Sequence, residues 1–193
     1  MASISVYLLL SVAAFVLTLC AGEGLPLIAT RGAPETWPLG ALVHADLGHL
    51  LRDVLGFAAL GCLYGGRVRQ PALFLLVIIA VPTIACFLWY PHMNRFFGLS
   101  GATHALFAVA LVMESSRRDL LWWCVAIGFV TKLGYEAITG HLVAPLSSGI
   151  TPAIAAHVVG AALGAVWALS GDGVSTAVEQ RPQGRPICLD GGA

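Results

Sequence analysis

Apolar residues in this chain come in runs too long and too unbroken for surface helices. Six stretches stand out, at residues 4–21, 42–64, 71–90, 100–113, 120–139 and 150–169. Turn-forming residues separate them: Gly22-Glu23-Gly24, Gly65-Gly66, Pro91, Ser115-Ser116, Gly140 and Pro145. A helix needs roughly 20 apolar residues to cross a bilayer. Lipid leaves no partner for free backbone groups, so spanning segments are helices rather than open strands. The pattern therefore predicts six membrane helices. The fourth is short: residues 100–113 make about 21 Å of helix at 1.5 Å per residue, against a hydrocarbon core of about 30 Å.

Composition agrees. The 193 residues are 58% hydrophobic and only 10% charged, whereas soluble domains carry about 25% charged residues. Mean hydropathy is +0.86. A disordered chain, a nucleic-acid binder and an ordinary soluble enzyme are excluded, and a formal net charge of 0 argues against long-range steering of a charged partner. Six spans use about 120 residues, which leaves no room for a second domain. The expected division is a membrane domain over 1–170 and a Gly/Pro-rich, polar, disordered tail over 171–193.

The five cysteines are odd in number and form no CxxC pair, so neither a disulfide framework nor a zinc site is indicated. Cys20 follows Leu19 rather than a small residue, and no basic stretch precedes the first apolar run. The start therefore reads as a retained helix, not a cleaved signal.

The arginines orient the helices. Arg67, Arg69, Arg117, Arg118, Arg181 and Arg185 all fall on one side of a six-span chain, and the opposite loops hold Arg31 and Arg95. The positive-inside rule then places both termini in the cytoplasm. Trp37, Trp89, Tyr90, Phe96 and Phe97 sit at the outer interface, and Trp122 and Trp123 at the inner one, as an aromatic belt.

Ionisable groups inside spans are costly and are functional candidates by default. Here they are His49, Arg52, Asp53, His104, Lys132, Glu136 and His157. The short fourth helix puts Ser100 roughly 10 Å below the outer surface, and His157 and His49 fall near the same depth on two other helices. A loop that reaches this depth must be buried in protein or line a watery cavity.

Ser100 lies in Gly98-Leu99-Ser100-Gly101. It is either an N-cap in a glycine turn or a nucleophile among free helix-start N–H groups that can hold an oxyanion. His157 shares a helix face with Gly160 and Gly164, small residues that let membrane helices approach closely. It is either a buried histidine bonded to a backbone carbonyl or a general base. Serine and histidine together fit nucleophile plus base, and no third acid is needed if packing fixes the imidazole. Lys132 and Glu136 stand at i, i+4 and read first as mutual neutralisation, second as recognition of a polar substrate segment. His104, one turn after Ser100, either lines the site or packs beside it. His92 and His141 are loop residues without a signal. No metal ligand cluster with workable spacing is visible, and no cofactor is implied.

These residues resemble the rhomboid family of intramembrane serine proteases. The resemblance covers His44 to about Leu169. It rests on His44-x4-His49-x3-Asp53 in the second helix, Gly98-Leu99-Ser100-Gly101 opening the fourth, and His157-x2-Gly160-x3-Gly164 in the sixth. It implies an all-α, six-transmembrane-helix bundle with Ser100 as nucleophile and His157 as base. His49 would bind the oxyanion together with the Ser100 N–H. Gly98, Gly101, His44, His104 and Glu136 would line the site or meet substrate.

The stretch Gly98 to His104 and the pattern Lys132-x3-Glu136-x3-Gly140 resemble the rhombosortase subgroup. That resemblance implies a multi-pass enzyme of the bacterial inner membrane. Its substrates would be membrane-anchored proteins ending in a GlyGly-CTERM tail: a glycine motif, a hydrophobic sorting helix and a basic end. Peptide hydrolysis and transpeptidation both stay open.

Two positions depart from the family pattern. Many rhomboids have Asn where this chain has Asp53; a carboxylate there repels an oxyanion, whereas a protonated one donates to it. Arg52 is a candidate counter-charge for Asp53. Ala105 replaces a common Gly. Two rival classes remain: an inactive rhomboid-like protein that binds membrane helices without cutting them, and a small transporter. The transporter would show repeated half-bundles or paired broken helices, and neither is visible.

Overall fold

The computed structural model describes residues 2–21, 29–116, 118–143 and 153–170. The predicted tail, 171–193, lies outside the described residues, as do the breaks at Gly22-Glu23-Gly24 and Pro145. In chain order the elements are α1 (Ala2–Ala21), β1 (Ala29–Thr30), α2 (Trp37–Gly40), α3 (Leu47–Tyr64), α4 (Pro71–Trp89), β2 (Arg95–Phe96), α5 (Ser100–Met113), α6 (Leu120–Thr139) and α7 (Ile154–Leu169). The architecture is a helical bundle with one strand pair in its loops.

Local chemistry explains the boundaries. Asp46 caps α3 by accepting from the His49 N–H at 2.8 Å, and Asp119 caps α6 by accepting from the Trp122 N–H at 2.8 Å. Pro71 opens α4, where a missing N–H costs nothing. Gly140 ends α6 at φ 72°, a left-handed cap that suits glycine.

Two expectations change. The second helix begins at Leu47 rather than 42, because Asp46 is extended (φ −151°, ψ 165°) and serves as the N-cap. His44 therefore lies in the loop before the helix, not on it. Among the described residues, the helices at 47–67, 71–89 and 120–139 are long and apolar enough to cross a membrane. α5 and α7 are shorter, at 14 and 16 residues. Ala153, just before α7, is not helical (φ −92°, ψ 61°), so that helix starts later than the apolar run.

α5 is the centre of the bundle: it contacts α3, α4 and α7, and its pairing with α7 is the most extensive in the fold. The reason is small residues. A Cβ on Gly160 would fall on the carbonyl of Gly101, and a Cβ on Gly164 on the carbonyl of Ala105. The two backbones touch at these points, as small-xxx-small packing allows. A buried cluster of Phe57, Phe74, Leu99, Leu106 and Val109 fills the space below. α6 sits at the periphery; Glu136 is its one buried residue.

The loops above the bundle are tied down. Ala29–Thr30 pairs antiparallel with Arg95–Phe96. Arg31 donates to the carbonyls of Phe87, Tyr90 and Met93 at the end of α4, and its guanidinium lies over the Phe87 ring. The chain between α4 and Ser100 is thereby held against Ala29, Thr30 and Arg31.

Candidate active site

Ser100 is the first residue of α5, and Leu99 is the N-cap. The N-cap reading of the serine is thus corrected: that position belongs to Leu99, one residue earlier. The N–H groups of Ser100 and Gly101 start the helix and have no acceptor within it. Gly98, two residues earlier, turns the chain at φ 105°. A Cβ there would be strained, and would meet His49 at 2.8 Å and the Asp53 carboxylate at 3.1 Å. Glycine lets this loop lie flat on α3.

On α3, Asp53 Oδ2 lies 3.2 Å from His49 Nε2 and 3.2 Å from His44 Nε2. His44 reaches it from the preceding loop, held by Thr18, whose hydroxyl accepts from the His44 N–H at 3.1 Å. The Leu99 N–H also points at His44 Nε2, at 3.3 Å. Asp53 thus faces two imidazoles; Arg52, the expected counter-charge, is exposed, as neighbours one residue apart on a helix do not share a face. His49 Nδ1 is buried without a hydrogen-bond partner.

His157 comes from α7 and is 7% exposed. Its Nδ1 faces Glu136 Oε2 at 2.8 Å. The same oxygen accepts from Lys132 Nζ at 2.8 Å, and Glu136 Oε1 accepts from the Val143 N–H at 3.2 Å. The bond to a side-chain carboxylate replaces the backbone carbonyl that the sequence left open for His157. His104 stacks on His157 with ring centroids 4.1 Å apart. Its Nδ1 lies 2.6 Å from the Ser100 carbonyl and its Nε2 lies 2.6 Å from Lys132 Nζ.

Ligand atoms of His104, Glu136 and His157 lie within 4.8 Å of one another, a spacing a metal ion can use. Sequence spacing hid this group because its members come from α5, α6 and α7. The Lys132 ammonium already stands among these atoms and acts as their cation, which argues against a metal.

A cavity of about 440 Å³ joins the pieces: Ser100, His157 and His49 share its wall with Leu142, Ala153 and residues of the loop from Trp89 to Phe97. Three helices bring these residues to one cavity. A family profile described as Rhomboid domain matches residues 36–171. The chain belongs to the rhomboid family. Membership makes it a helical multi-pass membrane protein, in a family whose activity is in general serine proteolysis of membrane proteins within the bilayer. A comparison with curated proteins returns no match.

In this rhomboid the matched region spans α2 to α7 and contains every candidate residue. The structure groups them into two clusters: His44, His49, Asp53 and Gly98 on one side, and His104, Lys132, Glu136 and His157 on the other. Ser100 and Gly101 stand between them at the start of α5. Lys132, which sequence reasoning gave to Glu136 or to a polar substrate segment, also reaches His104. The signal that would have found more is its rarity: it is the one lysine in the chain, inside an apolar helix.

Proposed function

We propose that this rhomboid is an active intramembrane serine protease with Ser100 as nucleophile and His157 as general base. The supporting observation is that a serine at the first position of α5 and a buried histidine border one cavity, on helices whose backbones touch. Ser100 Oγ attacks the scissile carbonyl and its proton passes to His157. The tetrahedral intermediate collapses, the C–N bond breaks, and His157 returns the proton to the leaving amine. Water then attacks the acyl ester by the same route and frees Ser100.

The oxyanion is held by the Ser100 N–H and by His49. Asp53 acts through His49, whose ring it orients, rather than facing the oxyanion alone. Gly98 and Gly101 keep the surrounding backbone close. Substrate must unwind locally, since helical carbonyls are already paired; glycines near the cleavage point make that easier.

The substrate class we favour is a membrane-anchored protein with a C-terminal hydrophobic sorting helix of the GlyGly-CTERM type, cut near the outer face of a bacterial inner membrane. Six crossings with both termini cytoplasmic fit the distribution of arginines. Whether water or an amine takes the acyl group is decided by the nucleophile that enters the cavity.

The test is covalent labelling in detergent with a fluorophosphonate probe, on wild type, Ser100→Ala and His157→Ala, beside a known active rhomboid. Labelling of wild type alone supports the serine–histidine pair. An unlabelled wild type beside a labelled control transfers the reading to a helix-binding protein that does not cut. Co-expression with a reporter carrying a GlyGly-CTERM tail then tests the substrate class.

A further inference from the structure

We infer that Glu136 is the positioning acid of this site: its carboxylate holds His157 in the tautomer that leaves Nε2 free to take the Ser100 proton. The inference rests on the serine protease reading above. It replaces a two-residue mechanism, in which packing alone fixes the imidazole, with a three-residue one.

Burial makes the first argument. α6 is a peripheral helix whose apolar residues largely face outward, and its one buried side chain is a carboxylate, 1% exposed. A buried carboxylate is costly unless fully paired. Glu136 is paired three ways, with Lys132, His157 and the Val143 N–H. Neutralising Lys132 alone requires no such depth, because two residues at i, i+4 can pair on the helix surface. His157, the one partner on another helix, accounts for the insertion.

Donor and acceptor roles make the second. A backbone carbonyl only accepts, so His104 Nδ1, 2.6 Å from the Ser100 oxygen, carries the proton. His104 Nε2 then accepts from the Lys132 ammonium. Lys132 has another proton for Glu136 Oε2. That oxygen only accepts and, at 2.8 Å, is closer to His157 Nδ1 than the Lys132 ammonium at 3.5 Å, so Nδ1 donates to it. The remaining nitrogen, Nε2, is unprotonated and is the base. When Ser100 gives up its proton, the imidazolium already has a carboxylate 2.8 Å from Nδ1 and a stacked neutral ring on its face. The Val143 bond also anchors the chain just after α6, so the loop that carries Leu142 to the cavity wall holds Glu136 in place.

The experiment measures fluorophosphonate labelling rate against probe concentration, which separates kinact from KI, together with the end-point labelled fraction and the melting temperature. The variants are Glu136→Gln and Glu136→Asp. Expected for Glu136→Gln is a fall in kinact of about 100-fold, with KI within about threefold and an end-point near wild type. Glu136→Asp should recover about tenfold of that loss, since it restores the charge at a longer reach. A Glu136→Gln enzyme that melts lower but labels at the wild-type rate per labelled molecule overturns the inference and leaves Glu136 as a structural partner of Lys132. If the Gln variant fails to fold, nitrogen NMR of the wild-type imidazoles decides: the resting His157 must show Nδ1 protonated and Nε2 bare, and the opposite tautomer overturns the assignment. Failure of the protease reading itself is distinct, because wild type would then not label at all.

Discussion

The His104 ring lies against His157, with centroids 4.1 Å apart and planes 12° from parallel. The two histidines come from α5 and α7, and His104 is also bonded to the carbonyl of Ser100 one turn earlier. The residue below the proposed nucleophile is thus in contact with the proposed base. His104→Phe keeps the stacking surface but loses both hydrogen bonds and leaves Lys132 with fewer acceptors. The expected result is about a tenfold loss in labelling rate, since one or two hydrogen bonds of about 1 kcal/mol each are removed. His104→Ala, which removes the ring as well, should lose more. Equal rates for the two variants would show that stacking does nothing.

Gly160 and Gly164 set the distance between α5 and α7. A methyl group at either would collide with a carbonyl of α5. Gly160→Ala should cost about 2–3 kcal/mol, as overpacked contacts do, and should abolish labelling by moving His157 away from Ser100. Gly128→Ala on α6 is the control, because open space surrounds that position, and it should change stability by no more than about 1 kcal/mol. Thermal unfolding in detergent, with labelling of the same samples, separates the two.

Asp53 is flanked by His44 and His49 at 3.2 Å each. Asp53→Asn keeps a side chain that bonds one imidazole, and should retain labelling to within about tenfold. Asp53→Ala leaves His49 with no partner on either ring nitrogen and should fall about 100-fold, in line with loss of one oxyanion donor. If the alanine variant labels as fast as wild type, His49 does not depend on Asp53.

Arg31 ties three carbonyls at the end of α4 and braces the loop that walls the cavity. Arg31→Ala should lower stability by about 2–3 kcal/mol, the worth of charged hydrogen bonds. Lysine should rescue only part, since a single ammonium does not match the spread of the guanidinium. Melting temperatures of the three proteins check this, and limited proteolysis at the loop between Trp89 and Phe97 should quicken in the alanine variant.

Local features were legible in the sequence because their causes are local. The fourth and fifth apolar runs, 100–113 and 120–139, coincide with α5 and α6, since an apolar run flanked by a glycine turn or an Asp cap specifies its own ends. The i, i+4 pairings His49–Asp53, Ser100–His104 and Lys132–Glu136 arise from helix geometry alone. The Gly160 and Gly164 stripe announced a close helix contact, and the two glycines are where α7 meets α5.

Tertiary structure decided what each polar residue faces. His44 meets Asp53 only because the chain turns back before α3 starts. Glu136 reaches His157, 21 positions away, only because α6 inserts one side chain against α7, and Lys132 reaches His104 across 28 positions by the same packing. Periodicity says which face of a helix is polar. It carries no information on which neighbour that face will meet, because the docking of one membrane helix on another is set by small steric contacts spread over the whole bundle. The apolar helices and the polar residues along them were therefore readable from the chain alone. The carboxylate behind the histidine was not.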